Sequence, residues 1–287
     1  MVTCNRRRGE AALTTGGRGA LRRGGYLAEA GTLGKVLLVA GWAAAVSPSS
    51  ADDAAPALLM HRATYEIGVG QRSASAAATS AHGMMVTSVE DACDSWRTRQ
   101  GLVLTMVRDD AAFSTASDLD SSEAKDGTWY TFADDTQTEP GEAERSAGEA
   151  RVEDDVARLR LLAPAEQSTA LPQGTIFPLA HLLDLLRGAQ AGERMLSHTL
   201  FDGTDGATVY DVTTLVGEPH PSADNGLDVW PLQLAFFIHG SAVETPDLEI
   251  SADLRADGVA EALAFDYGTF ILEAKLTGLE QLPPPDC

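Results

Sequence analysis

The run "LEISADLRADGVAEALAFDYGTFILEAKL", residues 248–276, decides the fold class. Leu248, Ile250, Ala252 and Leu254 alternate with Glu249, Ser251, Asp253 and Arg255, the period of two expected of a strand with one face buried. Asp257-Gly258 then supplies the residue pair that two-residue hairpins favour, and a further turn is expected at Gly268. Beyond it Phe270, Leu272, Ala274 and Leu276 alternate with Ile271, Glu273 and Lys275. Three short strands joined by tight turns predict an antiparallel meander. The same alternation places His61, Ala63, Tyr65, Ile67 and Val69 of "HRATYEIGV" on one face, and "GLVLTMV" (101–107) and "TVYDVTTLV" (208–216) read as further strands. "KDGTWYTF" (125–132) and "FDGTDGATVY" (201–210) repeat the Asp-Gly turn.

One segment departs from this period. "FPLAHLLDLLRGAQAGERM" spaces Leu179, Leu182, Leu183 and Leu186 at helical intervals, with Pro178 suited to the first turn and Gly188 or Gly192 to the end. "DDTQTEPGEAERSAGEARVEDD" (134–155) has few apolar residues and is expected to be a long solvated loop. With no repeat and no linker, a single β-rich domain over 52–287 is predicted.

The front of the chain reads as an export leader, 1–51. Seven of its residues are basic and two acidic, "VLLVAGWAAAV" (36–46) is apolar but too short to span a bilayer, and Ser49 and Ala51 offer the small residues a signal peptidase reads. Removal after Ala51 would discard Cys4 and leave Cys93 and Cys287, either two free thiols or one pair in an oxidising compartment. If they pair, Pro283 to Pro285 would form a stiff strap holding the last residue to the body. The whole chain has 21 basic and 42 acidic residues; without the leader's share the net charge falls from −21 to about −26. Such a surface repels nucleic acid and anionic lipid headgroups.

The motifs of common chemistries are missing. There is no Gly-x-Ser-x-Gly elbow and no phosphate loop, and His61, His82, His181, His198, His220 and His239 form no His-x-x-x-His pair. His181 on the helix is the most tempting ligand or acid-base candidate, but its spacing suits a packed helix face. Asp202 and Asp205 of "DGTDG" come close together as in a Ca²⁺ loop, yet the remaining ligand positions are missing and a tight turn accounts for them better. Paired carboxylates for hydrolysis arise readily by chance in so acidic a chain. No catalytic residue, cofactor or metal ligand is therefore assigned.

Taken in order, "HRATYEI", "DACDSWR" around Cys93, "LPQGTIFPLAH" (171–181), "LFDGTDGATVYD" (200–211), "VWPLQLAFF" (229–237), "DLRADGVAEALAFDYGTFILEAKL" (253–276) and the terminal Cys resemble the EipB family of periplasmic cell-envelope integrity proteins of α-proteobacteria. The resemblance implies a mainly β protein: an open, spiralling, barrel-like antiparallel sheet around one principal helix, with one disulfide between Cys93 and Cys287. It implies a non-enzymatic periplasmic protein of envelope integrity and stress resistance, with an envelope protein or lipoprotein as partner and no membrane span after leader removal. A carrier sheltering an acyl chain in the concave face of the sheet is the alternative expectation, and a hydrolase using carboxylates a more distant one.

Overall fold

In the computed structural model, residues 56–70, 78–108, 111–268 and 270–287 are described; the expected leader and Cys4 lie outside them. The chain forms β1 (His61–Val69), β2 (Ala78–Asp91), β3 (Ser95–Arg108), β4 (Ala111–Ala124), β5 (Trp129–Glu139), β6 (Ala143–Glu153), β7 (Val156–Ala163), β8 (Gln167–Ala170), β9 (Thr175–Ile176) and the helix α1 (Pro178–Gln190). Then follow β10 (Met195–Leu200), β11 (Tyr210–Val216), β12 (His220–Pro221), β13 (Asp228–Ile238), β14 (Leu248–Arg255), β15 (Ala260–Asp266) and β16 (Ile271–Gln281). All strands belong to one sheet in the order 8-7-6-5-4-3-2-1-16-15-14-13-11-10-9, with β12 beside β13. Every pairing is antiparallel except the two-residue contact of β9 with β10.

This order explains why the sheet is barrel-like and open. The first and last strands pair in its middle, His61 opposite Gln281 through Val69 opposite Leu272. Its two edges, β8 and β9, are instead consecutive in the chain and joined by residues 171–174, but they do not pair with each other. Very short edges of four and two residues leave little unpaired backbone to invite another strand.

α1 fills the inside. Leu185, Leu186 and Ala189 pack on Leu200, Val212, Val216, Leu232 and Leu234. Burial of that stripe, at about 25 cal/mol per Å² of apolar surface, is what holds a thirteen-residue helix that would be marginal alone. Pro178 occupies the first turn and Gly192, at φ 80°, lies just past the end. Gly188 does not terminate the helix: it is buried within it, where an added Cβ would come 2.7 Å from Leu196. A second cluster joins Tyr130, Phe132, Leu159 and Leu161 to Phe177 and Phe201, and a third packs Tyr65, Ile67, Met85, Leu104 and Leu272.

The acidic stretch 134–155 is not a loop. It forms most of the β5–β6 hairpin, with Trp129 opposite Arg151 and Gln137 opposite Ala143. Its inward residues are small, Ser146, Gly148 and Ala150, because the opposing space is already taken by Phe132, Phe177 and Phe201. Outside, charged pairs such as Arg145 with Asp135 (2.6 Å) form the cross-strand contacts. Strands β2 and β4 are likewise present although their alternation is masked by Ala, Ser and Thr, while β7 alternates buried Ala157, Leu159 and Leu161 with exposed Arg158 and Arg160.

Candidate functional site

Sheet strands put alternate residues on opposite faces, so register decides what the outer surface carries. On the outside of β2–β6 two parallel rows of side chains run across the strands. Met84 lies opposite Val103 and Val103 opposite Ala116; beside them Val86 lies opposite Gly101, Gly101 opposite Asp118, Asp118 opposite Asp135, and Asp135 opposite Arg145. Together they line an open concavity of about 550 Å³. Met84 is 55% and Val103 62% exposed, so adjacent large apolar groups face water here. Among the described residues this is where apolar surface and a concavity coincide on the outer face of the long strands.

The sequence-predicted residues lie elsewhere: the cysteines are bonded, the two aspartates are engaged in their own turn, and His181 is packed inside with its Nε2 unpartnered among the described residues. Cys93 and Cys287 are bonded, their Cα atoms 6.0 Å apart and 194 residues apart in the chain. Cys93 stands in the β2–β3 turn at φ 69°, its N–H donating to Asp91 Oδ1 (2.8 Å), which also accepts from Lys125 Nζ (2.6 Å). The Lys125 ammonium is in turn 4.4 Å from the centre of the Trp96 ring. After β16, Leu282 donates to the carbonyl of Met60, and the prolines carry the tail past the start of β1 to that turn.

His181 faces inward from α1, and burial pushes its imidazole pKa down to about 4, with the neighbouring His198 adding to the effect. The two rings meet edge to face at 5.1 Å. His61, at the start of β1, also has its pKa lowered by burial, and its Nδ1 bonds the Leu59 carbonyl at 2.7 Å. Asp202 and Asp205 are turn residues: Asp202 Oδ1 accepts from Thr204 N and Oγ1 (3.0 and 2.9 Å), and Asp205 Oδ2 from Thr208 Oγ1 (3.0 Å). The loop they build is tucked inside the sheet, with Tyr130 donating to the Asp202 carbonyl (2.8 Å) and Ser146 to the Gly203 carbonyl (2.7 Å). Among the described residues no group of three His, Cys, Asp or Glu could hold a metal, and no helix is long and apolar enough to cross a membrane.

The sequence reading passed over Glu123. At the inner end of β4 and 2% exposed, it accepts hydrogen bonds from the N–H groups of Leu179 (2.7 Å) and Ala180 (2.8 Å). It is the N-cap that Phe177 cannot supply, reaching the helix from a strand 56 residues earlier. Burial pushes its carboxyl up to about 7, against the pull of the two backbone bonds. A Ser, Asp or Asn preceding the helix would have announced a cap; a carboxylate arriving from a distant strand leaves no local pattern.

Comparison with known proteins agrees with this architecture. The cell envelope integrity protein EipB of Brucella abortus (strain 2308) is 27% identical over 267 residues, covering 88% of this chain and 94% of that protein. The crystal structure of a beta-barrel-like protein from Brucella abortus, described as a domain of unknown function, matches at a TM-score of 0.73 and 26% identity, covering 80% of this chain and all of that one. The EipB-like family matches residues 52–283, the whole of the sheet with its helix, and the chain belongs to that family.

Proposed function

We propose that the chain is a non-catalytic periplasmic protein that maintains the cell envelope by binding an envelope partner on the outer face of its sheet. The relative's designation as a cell envelope integrity protein supports the envelope role. The observation carrying the binding mode is the distribution of apolar surface: the inside is filled by α1, Phe177 and Phe201, while an apolar concavity lies open on β2–β6. An acyl-chain carrier has less support, because the inner space such a chain would take is occupied by side chains. A hydrolase is not supported by Asp202, Asp205 or His181, whose polar groups are engaged in their own loop or packed.

A strain lacking the chain is expected to become sensitive to detergent and to recover with wild-type protein and with His181→Ala or Asp205→Asn at equal folded amounts. A persistent defect with undiminished folded protein would make those residues a working site and overturn the non-catalytic reading. Export through residues 1–51 is proposed alongside it; the periplasmic form should begin near Asp52.

A further inference from the structure

Gly101 is a glycine without an internal reason. It sits in the middle of the fourteen-residue β3, where glycine costs about 0.5–1 kcal/mol relative to a residue with a side chain. The other described glycines with open space around an added Cβ have positive φ, a conformation that itself calls for glycine; Gly101 has neither positive φ nor any atom within 4 Å. Nothing among the described residues excludes a side chain there. What a bare backbone in a strand permits is the close approach of something from outside.

Its neighbours give that visitor a chemistry. Across one strand pair is Val86, with Met84 and Val103 exposed in the next row. Across the other is Asp118, which faces Asp135 directly, and like charges opposed across strands are unfavourable. Arg145 answers Asp135 at 2.6 Å, but among the described residues no cation answers Asp118. Hydrophobic floor, unbalanced carboxylate and missing side chain meet at one notch. A second copy of a chain of net charge −21, or an anionic bilayer, would meet electrostatic repulsion.

Resting on the partner-binding reading above, we propose that the notch over Gly101 seats a cationic, apolar-anchored polypeptide segment of the envelope partner, laying its backbone over Gly101, an apolar side chain on Met84 and Val103, and a Lys or Arg against Asp118. The test uses ¹⁵N-labelled protein with three probes: the blocked decapeptide (Lys-Val)5, its (Glu-Val)5 counterpart, and phosphatidylglycerol vesicles. (Lys-Val)5 should shift the amides of Met84, Gly101, Val103 and Asp118, and its affinity should fall at least tenfold in Gly101→Phe, which fills open space, and in Asp118→Lys, which reverses an exposed charge, both with Tm unchanged or raised, since each also relieves an unfavourable feature of the strand. Equal perturbation of those amides by (Glu-Val)5 or by vesicles overturns the proposal, as does (Lys-Val)5 binding indifferent to both variants. So does a dimer in sedimentation equilibrium that Gly101→Phe dissolves. In cells the two readings separate: a Gly101→Phe strain with an intact envelope overturns the notch alone, whereas wild-type protein that fails to restore the deletion overturns the envelope role as well.

Discussion

Glu123 and His181 are both buried and titratable, and they act on stability with opposite sign. Glu123 has an ordinary pKa of 4.5 and is pushed up to about 7, so between these values the folded chain holds a proton that the unfolded one has released. Its contribution therefore weakens as pH rises from about 4.5 to 7, by up to about 3 kcal/mol. Replacing it by Gln keeps an acceptor for the helix and removes the titration; the stability of the wild type relative to Glu123→Gln, measured by urea unfolding, should decline across that window. His181 runs the other way, since below pH 6.5 the unfolded chain takes a proton that the folded one refuses until about 4. His181→Leu should then gain on the wild type by about 2 kcal/mol between pH 7 and pH 5. Parallel curves for either pair would remove the assigned group from the pH response. Only His181 stood out in the sequence, because a His among leucines on a helix is conspicuous; "DSSEAKD" around Glu123 gives no sign that its carboxylate ends inside the molecule.

At the scale of elements, hydrophobic period is reliable where one face meets large side chains. It identified β1, α1 and the β14–β16 meander, since each lays Leu, Ile, Tyr or Phe on a core at regular spacing. It failed for β6, and for β5 beyond Phe132, because β6 faces a space already filled by Phe132, Phe177 and Phe201 and needs only Ser146, Gly148 and Ala150 on its inner side, a composition indistinguishable from a solvated loop. The filler is the 201–209 loop between β10 and β11. Gly203 lies there at φ 78°, and an added Cβ would come 2.5 Å from the Phe132 ring. Gly203→Ala should lower stability by about 2–4 kcal/mol through strain and overpacking together, whereas Gly206→Ala, also at positive φ but in open space, should cost about 1 kcal/mol. Equal losses in thermal melts would mean that the loop is not wedged against β5.

For the whole molecule the terminal cysteine has a topological meaning. Pairing of β1 with β16 already brings the first and last strands together, and the bond carries the tail one strand further, to the β2–β3 turn. Closing 194 residues limits the unfolded chain by up to about 5 kcal/mol in the entropic account. Cys287→Ser should lower Tm and expose the tail to proteases first, Cys93→Ser should cost the same, and the double variant no more than either; additive losses would show that the two sulfurs stabilise separately. The sequence by itself determined the β-rich class, the inner helix, the tight turns and the two cysteines available to pair, because period, turn chemistry and residue counts are local quantities that any core must respect. Only the tertiary structure decided that the first and last strands meet in the middle of the sheet, that Glu123 caps α1, that an acidic run is a hairpin, and that Gly101, Met84, Val103 and Asp118 share one outer notch. Each of these joins residues from different strands, and the register that joins them is set by packing across the whole sheet, which no single stretch of the chain encodes.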